Sequence, residues 1–210
     1  MIYTQKIQEA IELAIKTHHI DDPQKRKGKD IPYITHPLTV GLILAHAGAS
    51  EDVVIAGILH DTIEDSIEGK KVTKEMISEI FGNKVADLVL SVTEQNKELS
   101  WQERKIEALG HIDSFSNDSV LLKSADTISN VTEMYSDYKK EGDKMFDKFN
   151  SEKSNILRNY NGVISALITK WDGNPLKKDL ESLFDLTTKM GVVDYGWSTV
   201  QALRRSDHDE

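Results

Sequence analysis

Apolar residues recur at helical spacing along nearly the whole chain. Ile7, Ala10, Ile11, Ala14 and Ile15 predict one amphipathic helix over residues 5–18. The stretch HHIDDPQKRKGKDIPYI that follows is polar and basic, and is predicted to be a loop. A second helix is expected from Thr35–His36–Pro37, with proline in the first turn where its missing N–H costs little, to about Gly48. Ser50 suits the N-cap of a third, whose run EDVVIAGIL is apolar on all sides and so predicted to be central. Thr73 and Gly82 bracket a fourth, and Val85, Leu88, Val89 and Val92 mark a fifth. The capping box Ser100–Glu103 opens a sixth. Further helices are expected over about 119–140, 152–171 and 175–189, and the last dozen residues as a frayed tail. No segment alternates convincingly with period two. The expected fold is therefore all-α: one domain of eight or nine helices over residues 1–191, with a C-terminal tail over 192–210.

Composition narrows the chemistry. The 210 residues contain no cysteine, which removes disulfides, zinc–cysteine sites and thiol nucleophiles. The N-terminal stretch lacks the apolar core of a signal peptide, and no apolar run approaches the length of a membrane span, so a cytoplasmic protein is expected. A formal charge of −9 argues against nucleic acid as a partner. A small anionic ligand would need a local cationic site or a metal.

The third helix ends in an unusual way. His60, Asp61, Glu64 and Asp65 follow directly on its apolar turns, on one predicted stripe, with no Lys or Arg between residues 51 and 69. A polar helix end is the plain reading of such a pattern. Carboxylates starting this close to a core nevertheless call for a cation. Two further residues stand out: His36 in PYITHP, and Asp126 in the otherwise apolar LLKSADTISN. Together His36, His60, Asp61 and Asp126 supply two imidazoles and two carboxylates, a donor set suited to Mn²⁺, and also to Fe²⁺, Co²⁺ or Ni²⁺.

The ordered set RKGKDIPYITHP, AGILHDTIED, FGNKVADLVLSVTE, ERK and LLKSADTISN resembles the HD-domain superfamily of metal-dependent phosphohydrolases. Its order and spacing are similar to those of the RelA/SpoT-type hydrolase domain, in the form of the stand-alone small alarmone hydrolases, over roughly residues 5–170. The resemblance implies hydrolytic removal of the 3′-pyrophosphate from (p)ppGpp, giving GDP or GTP. It implies one Mn²⁺ per chain held by His36, His60, Asp61 and Asp126, with Glu64 and Asp65 as the catalytic pair. Arg26 and Lys27 match a family pair whose arginine stacks on the guanine base, and Asn130 matches an asparagine near the nucleotide. Lys123, Arg158 and Tyr160 are further candidates for binding substrate.

The chain also departs from the family pattern. Where the family often has D-K-L-H-N, it reads Asp126-Thr127-Ile128-Ser129-Asn130, without the lysine and histidine. Another phosphorylated nucleotide, such as a nucleoside monophosphate or the 2′-phosphate of NADPH, is therefore a competing substrate. A non-catalytic nucleotide sensor is a competing reading of another kind, against which the intact Glu64–Asp65 pair counts. A di-iron oxygenase would need further histidine ligands, and His18, His19, His46, His111 and His208 lie in no matched motif.

Overall fold

The structure, a computed structural model, describes residues 3–94, 96 and 98–191. Among these there are ten α-helices and no strands: α1 (Gln5–Ile15), α2 (Thr35–His46), α3 (Glu51–Leu59), α4 (Thr62–Asp65), α5 (Lys74–Phe81), α6 (Asn83–Val92), α7 (Trp101–His111), α8 (Asn117–Glu141), α9 (Lys153–Lys170) and α10 (Lys177–Lys189). The all-α expectation holds. The extra element is α4, a single turn split from α3. The predicted tail over 192–210 lies outside the described residues.

Several helix ends follow from capping chemistry. Thr4, Thr73 and Ser116 each accept a hydrogen bond from the backbone N–H three residues on. Ser100 and Glu103 close the expected capping box. Ser50 stands at the N-cap of α3 with extended backbone, but its side chain makes no capping bond. Three boundaries differ from expectation. The first helix runs as α only to Ile15 and then widens into a π turn over Lys16–Asp21, which buries Thr17 and His18. The long helix starts at Asn117 rather than near Ser119. The last begins at Lys177, two residues after Pro175.

α2 and α3 form a helical hairpin. Its closeness is set by glycine. A Cβ on Gly57 would lie 2.3 Å from Leu44 Cδ1, and one on Gly41 would lie 2.7 Å from Ile58 Cγ1. Every residue of α3 from Val53 to Leu59 is buried, as its all-round apolar pattern predicts. Because the two helices run in opposite directions from a short turn, the start of α2 meets the end of α3. His36 and His60 therefore come together.

The long helix α8 crosses this hairpin and joins two cores. Leu121, Leu122 and Ala125 belong to the core built by α1, α2, α3, α5 and α6. Val120, Val131 and Met134 belong to a second core with α9 and α10. Asp126 projects from α8 where the first core gives way to the second. Burying each large apolar side chain contributes about 1.5–3 kcal/mol, so α8 is a firm mount for a polar residue at that seam.

Candidate metal and nucleotide site

The imidazoles of His36 and His60 face each other edge to face, with centroids 5.1 Å apart. His60 Nδ1 lies 2.8 Å from the carbonyl of Gly57, which can only accept, so Nδ1 carries the hydrogen. His60 Nε2 then faces the centre, where it is buried without a hydrogen-bond partner. His36 Nδ1 lies 3.0 Å from Ser129 Oγ, leaving its Nε2 directed to the same centre. Asp61 Oδ2 is 3.0 Å from His60 Nε2 and 3.7 Å from His36 Nε2. Asp126 Oδ1 approaches the same nitrogens at 3.8 and 3.2 Å. One ligand atom each from His36, His60 and Asp126 falls within 4.8 Å of the others. Two imidazole nitrogens and two carboxylates, with His60 Nε2 orphaned in the interior, fit a divalent cation.

Opposite charges at the centre hold one another in their ionised forms. Burial lowers the basicity of His60, but Asp61 and Asp126 outweigh it and raise its pKa to about 9. Burial pushes Asp61 up, and the imidazoles more than reverse this, holding it well below the usual carboxylate range. Asp126 is likewise held low despite burial, chiefly by Lys123 and the two histidines.

Each of the four side chains is held from behind. Lys123 Nζ donates to Asp126 Oδ2 at 2.8 Å, and Asn130 Nδ2 donates to Asp126 Oδ1 at 2.6 Å. Tyr33, which the sequence reading missed, donates its hydroxyl to Asp61 Oδ2 at 2.6 Å. It is three residues before His36, and nothing in the local pattern distinguishes it from a packing tyrosine. The chain's departures after Asp126 now have an account. Thr127 donates to the Lys123 carbonyl, and Ser129 meets His36. The cation beside Asp126 is Lys123, one turn earlier on α8.

The HD pair and the ED pair do not share one unbroken helix. α3 ends at Leu59, the chain bends through His60 and Asp61, and α4 carries Glu64 and Asp65. The bend corrects the expected continuous stripe. Glu64 Oε2 accepts from the Glu94 backbone N–H at 3.2 Å. Burial, then Asp61 and Asp65, raise the Glu64 pKa. Gln24 Nε2 donates to the Asp65 carbonyl at 2.8 Å, while its Oε1 pairs with buried His18 Nδ1 at 2.8 Å. Gln24 thus ties the π turn and the basic loop to the turn that carries Glu64 and Asp65.

That loop is ordered. Arg26 N–H donates to Ile31 O at 2.8 Å and Tyr33 N–H to Gln24 O at 2.9 Å, with Gly28 at φ +73° in the turn between. Arg26 Nη2 donates to Asn130 Oδ1 at 2.9 Å and its Nε to Glu133 at 2.9 Å. Its guanidinium lies 5.4 Å from the centroid of the Tyr33 ring. Lys29, not singled out from sequence, bonds to Glu133 and lies 2.7 Å from Asp137. Lys27 extends over Phe149. Tyr160 is pushed up to about 12 by burial and by Asp126, which places it near the centre. Arg158 is exposed, 3.5 Å from Asn155 Oδ1 on its own helix.

The HD domain family model matches residues 10–153. The chain belongs to the HD domain family. Among HD-domain relatives, the guanosine-3′,5′-bis(diphosphate) 3′-pyrophosphohydrolase of Aquifex aeolicus (strain VF5) is 38% identical over 135 residues, which are 63% of this chain and 18% of that longer protein. The enzyme of the same name, MESH1, from Danio rerio is 32% identical over 62% of this chain and 70% of its own length. The MESH1 of Xenopus tropicalis is 37% identical over 61% of this chain and 69% of its own. The chain therefore spans about a fifth of the first relative and over two thirds of the other two. Two solved structures share the fold. One, a metazoan ortholog of SpoT described as hydrolysing ppGpp, has a TM-score of 0.70 and 24% identity over 92% of this chain and 99% of its own. The other, a Listeria monocytogenes EGD-e protein, has a TM-score of 0.65 and 31% identity over 74% of this chain and 97% of its own.

Proposed function

We propose that this protein is a Mn²⁺-dependent hydrolase that removes the 3′-pyrophosphate of guanosine tetra- or pentaphosphate, giving GDP or GTP and pyrophosphate. The observation that carries the reading is the convergence of His36, His60, Asp61 and Asp126 on one buried centre, with the Glu64–Asp65 turn beside it and Arg26 joined to it through Asn130. The names of the relatives support the same substrate.

The four converging side chains would hold the metal. Bound there, it lowers the pKa of water and polarises a phosphoryl oxygen. The protein does the rest. Water adds to the phosphorus attached to the ribose 3′ oxygen, the bond to that oxygen breaks, and the oxygen takes up a proton. Glu64, with its pKa raised toward neutrality, accepts the proton of the attacking water. Asp65 is the second carboxylate of the pair, held through its carbonyl by Gln24. Lys123 offers a fixed positive charge beside Asp126 for the phosphate oxygens. Arg26 presents a planar guanidinium, fixed on its edge by Asn130 and Glu133, for a purine to stack on. Lys27, Arg158 and Tyr160 complete the proposed substrate-binding set.

A second reading keeps the chemistry and changes the substrate. Thr127 donates to Lys123 O, Ser129 Oγ lies 3.0 Å from His36 Nδ1, and neither side chain presents a cation, which favours a nucleotide with fewer phosphates. One experiment separates the two. The protein is stripped with a chelator, reloaded with Mn²⁺, and given ppGpp, pppGpp, nucleoside monophosphates and NADPH in parallel. Release of pyrophosphate from the two guanosine polyphosphates is expected. Orthophosphate from another nucleotide, with none of that pyrophosphate, would overturn the first reading in favour of the second.

A further inference from the structure

Asp61 is the least supported of the four proposed ligands. It follows the last turn of α3 and precedes the first of α4, so it belongs to neither helix. It also stands among like charges, with Asp126 across the centre and Glu64 and Asp65 on the next turn. Repulsion from these works against the pull of His60 and His36 on its carboxylate. Lys123 and Asn130 both bond to Asp126, and neither is bonded to Asp61.

The restraint on Asp61 comes from the basic loop. Tyr33 donates to Asp61 Oδ2 at 2.6 Å, the oxygen that stands 3.0 Å from His60 Nε2. A carboxylate oxygen has two lone pairs, so the hydroxyl can occupy one and leave the other for a cation. The Tyr33 ring is itself fixed. It packs against His18 at 5.1 Å and His36 at 6.0 Å between centroids, and Arg26 lies over it. The backbone N–H of Tyr33 is bonded to Gln24 O. The hydroxyl is therefore delivered to a defined point.

We propose that Tyr33 is a positioning residue for the metal, holding Asp61 in its ligating orientation from the nucleotide-side loop. This rests on the reading of His36, His60, Asp61 and Asp126 as metal ligands. Removing such a partner behind a ligand typically weakens metal affinity about 10–100-fold. The consequence is directional. The bond acts on the metal, so its loss is read first in metal affinity and only through it in turnover.

The test is Tyr33→Phe, which keeps the ring against His18, His36 and Arg26 and removes only the hydroxyl. Chelated wild-type, Y33F and Asp61→Ala proteins are titrated with Mn²⁺ by calorimetry and with Co²⁺ by visible absorption. Expected for Y33F are a Mn²⁺ Kd raised about 10–100-fold, an altered Co²⁺ spectrum, a metal-free melting temperature near wild type, and a KM for nucleotide within about twofold at saturating Mn²⁺. If wild type and D61A bind metal alike, or neither binds, the ligand reading itself fails. If wild type binds, D61A does not, and Y33F matches wild type in Kd and spectrum, the positioning role of Tyr33 alone is overturned. A lowered metal-free melting temperature with unchanged Kd also overturns it, since that is the signature of packing.

Discussion

Glu64 and His60 show how the surroundings of single residues set the chemistry. Glu64 is buried beside Asp61 and Asp65, both of which disfavour its charged form, so its pKa stands above the ordinary carboxylate value. A base so tuned is better matched to work near neutral pH. Glu64→Gln keeps the shape and the acceptor for the Glu94 N–H but cannot take a proton. It is expected to lower kcat by about 10²–10⁴ with metal affinity little changed, as measured by steady-state kinetics alongside Mn²⁺ titration. A variant that keeps full kcat would remove Glu64 from the proton transfer. His60 is also shifted upward, to about 9, because Asp61 and Asp126 outweigh its burial. Its Nε2 must give up a proton to become a ligand. Mn²⁺ uptake should therefore release about one proton at neutral pH and tighten as pH rises toward 9. Calorimetry in two buffers of different ionisation enthalpy measures that proton directly.

At the scale of elements, the loop between α1 and α2 is latched to α8 by charge. Arg26 and Lys29 both bond to Glu133, and Lys29 and Lys148 both pair with Asp137. Burial would raise the Glu133 pKa, but the bonds from Arg26 and Lys29 outweigh it and bring it from 4.5 down to about 2. The sign follows from which state holds the proton more tightly. The unfolded chain protonates Glu133 near 4.5 and the folded one near 2, so this stabilisation is complete above the first value and is lost as pH falls through the second. Glu133→Gln should thus flatten the acid side of the stability profile. Urea unfolding of wild type and E133Q between about pH 5 and about pH 3 should show the gap between them narrowing as pH drops. A constant gap would mean that the latch does not depend on the Glu133 charge.

For the whole molecule, the centre gathers the proposed ligands from α2, the end of α3 and α8, and α8 also joins the two cores. A cation that binds only this folded arrangement must stabilise the entire domain. At free metal about 100 times Kd the gain is about 2.7 kcal/mol. A kilocalorie shifts the melting temperature of a chain this size by roughly 2–4 °C. Loading chelated protein with Mn²⁺ should therefore raise its melting temperature by about 5–10 °C by calorimetry, and equal midpoints with and without metal would argue against a site spanning these helices. Among the described residues no helix is long and apolar enough to cross a membrane.

The sequence by itself determined the helical class, several of the caps, the buried status of α3 and the four polar residues that meet at its end. These are local matters: apolar spacing, a capping hydroxyl, or a charge placed directly after a core helix is visible within a few residues. Only the tertiary structure decided what stands behind each ligand. Tyr33 and Ser129 carry hydroxyls that look like any others in the chain, and their meaning comes from Asp61 and His36 lying at hydrogen-bond distance. Lys123 likewise became the cation beside the phosphates' expected place because one turn of α8 sets it against Asp126, a position that the changed residues after Asp126 had left in question. Glu133 and Asp137 look like ordinary exposed acids of a long helix, yet the folded loop brings Arg26 and Lys29 onto them. The physical reason is common to all of these. Periodicity records which face of an element is buried, whereas a hydrogen bond between distant segments depends on ångström-scale placement that only the packed fold supplies.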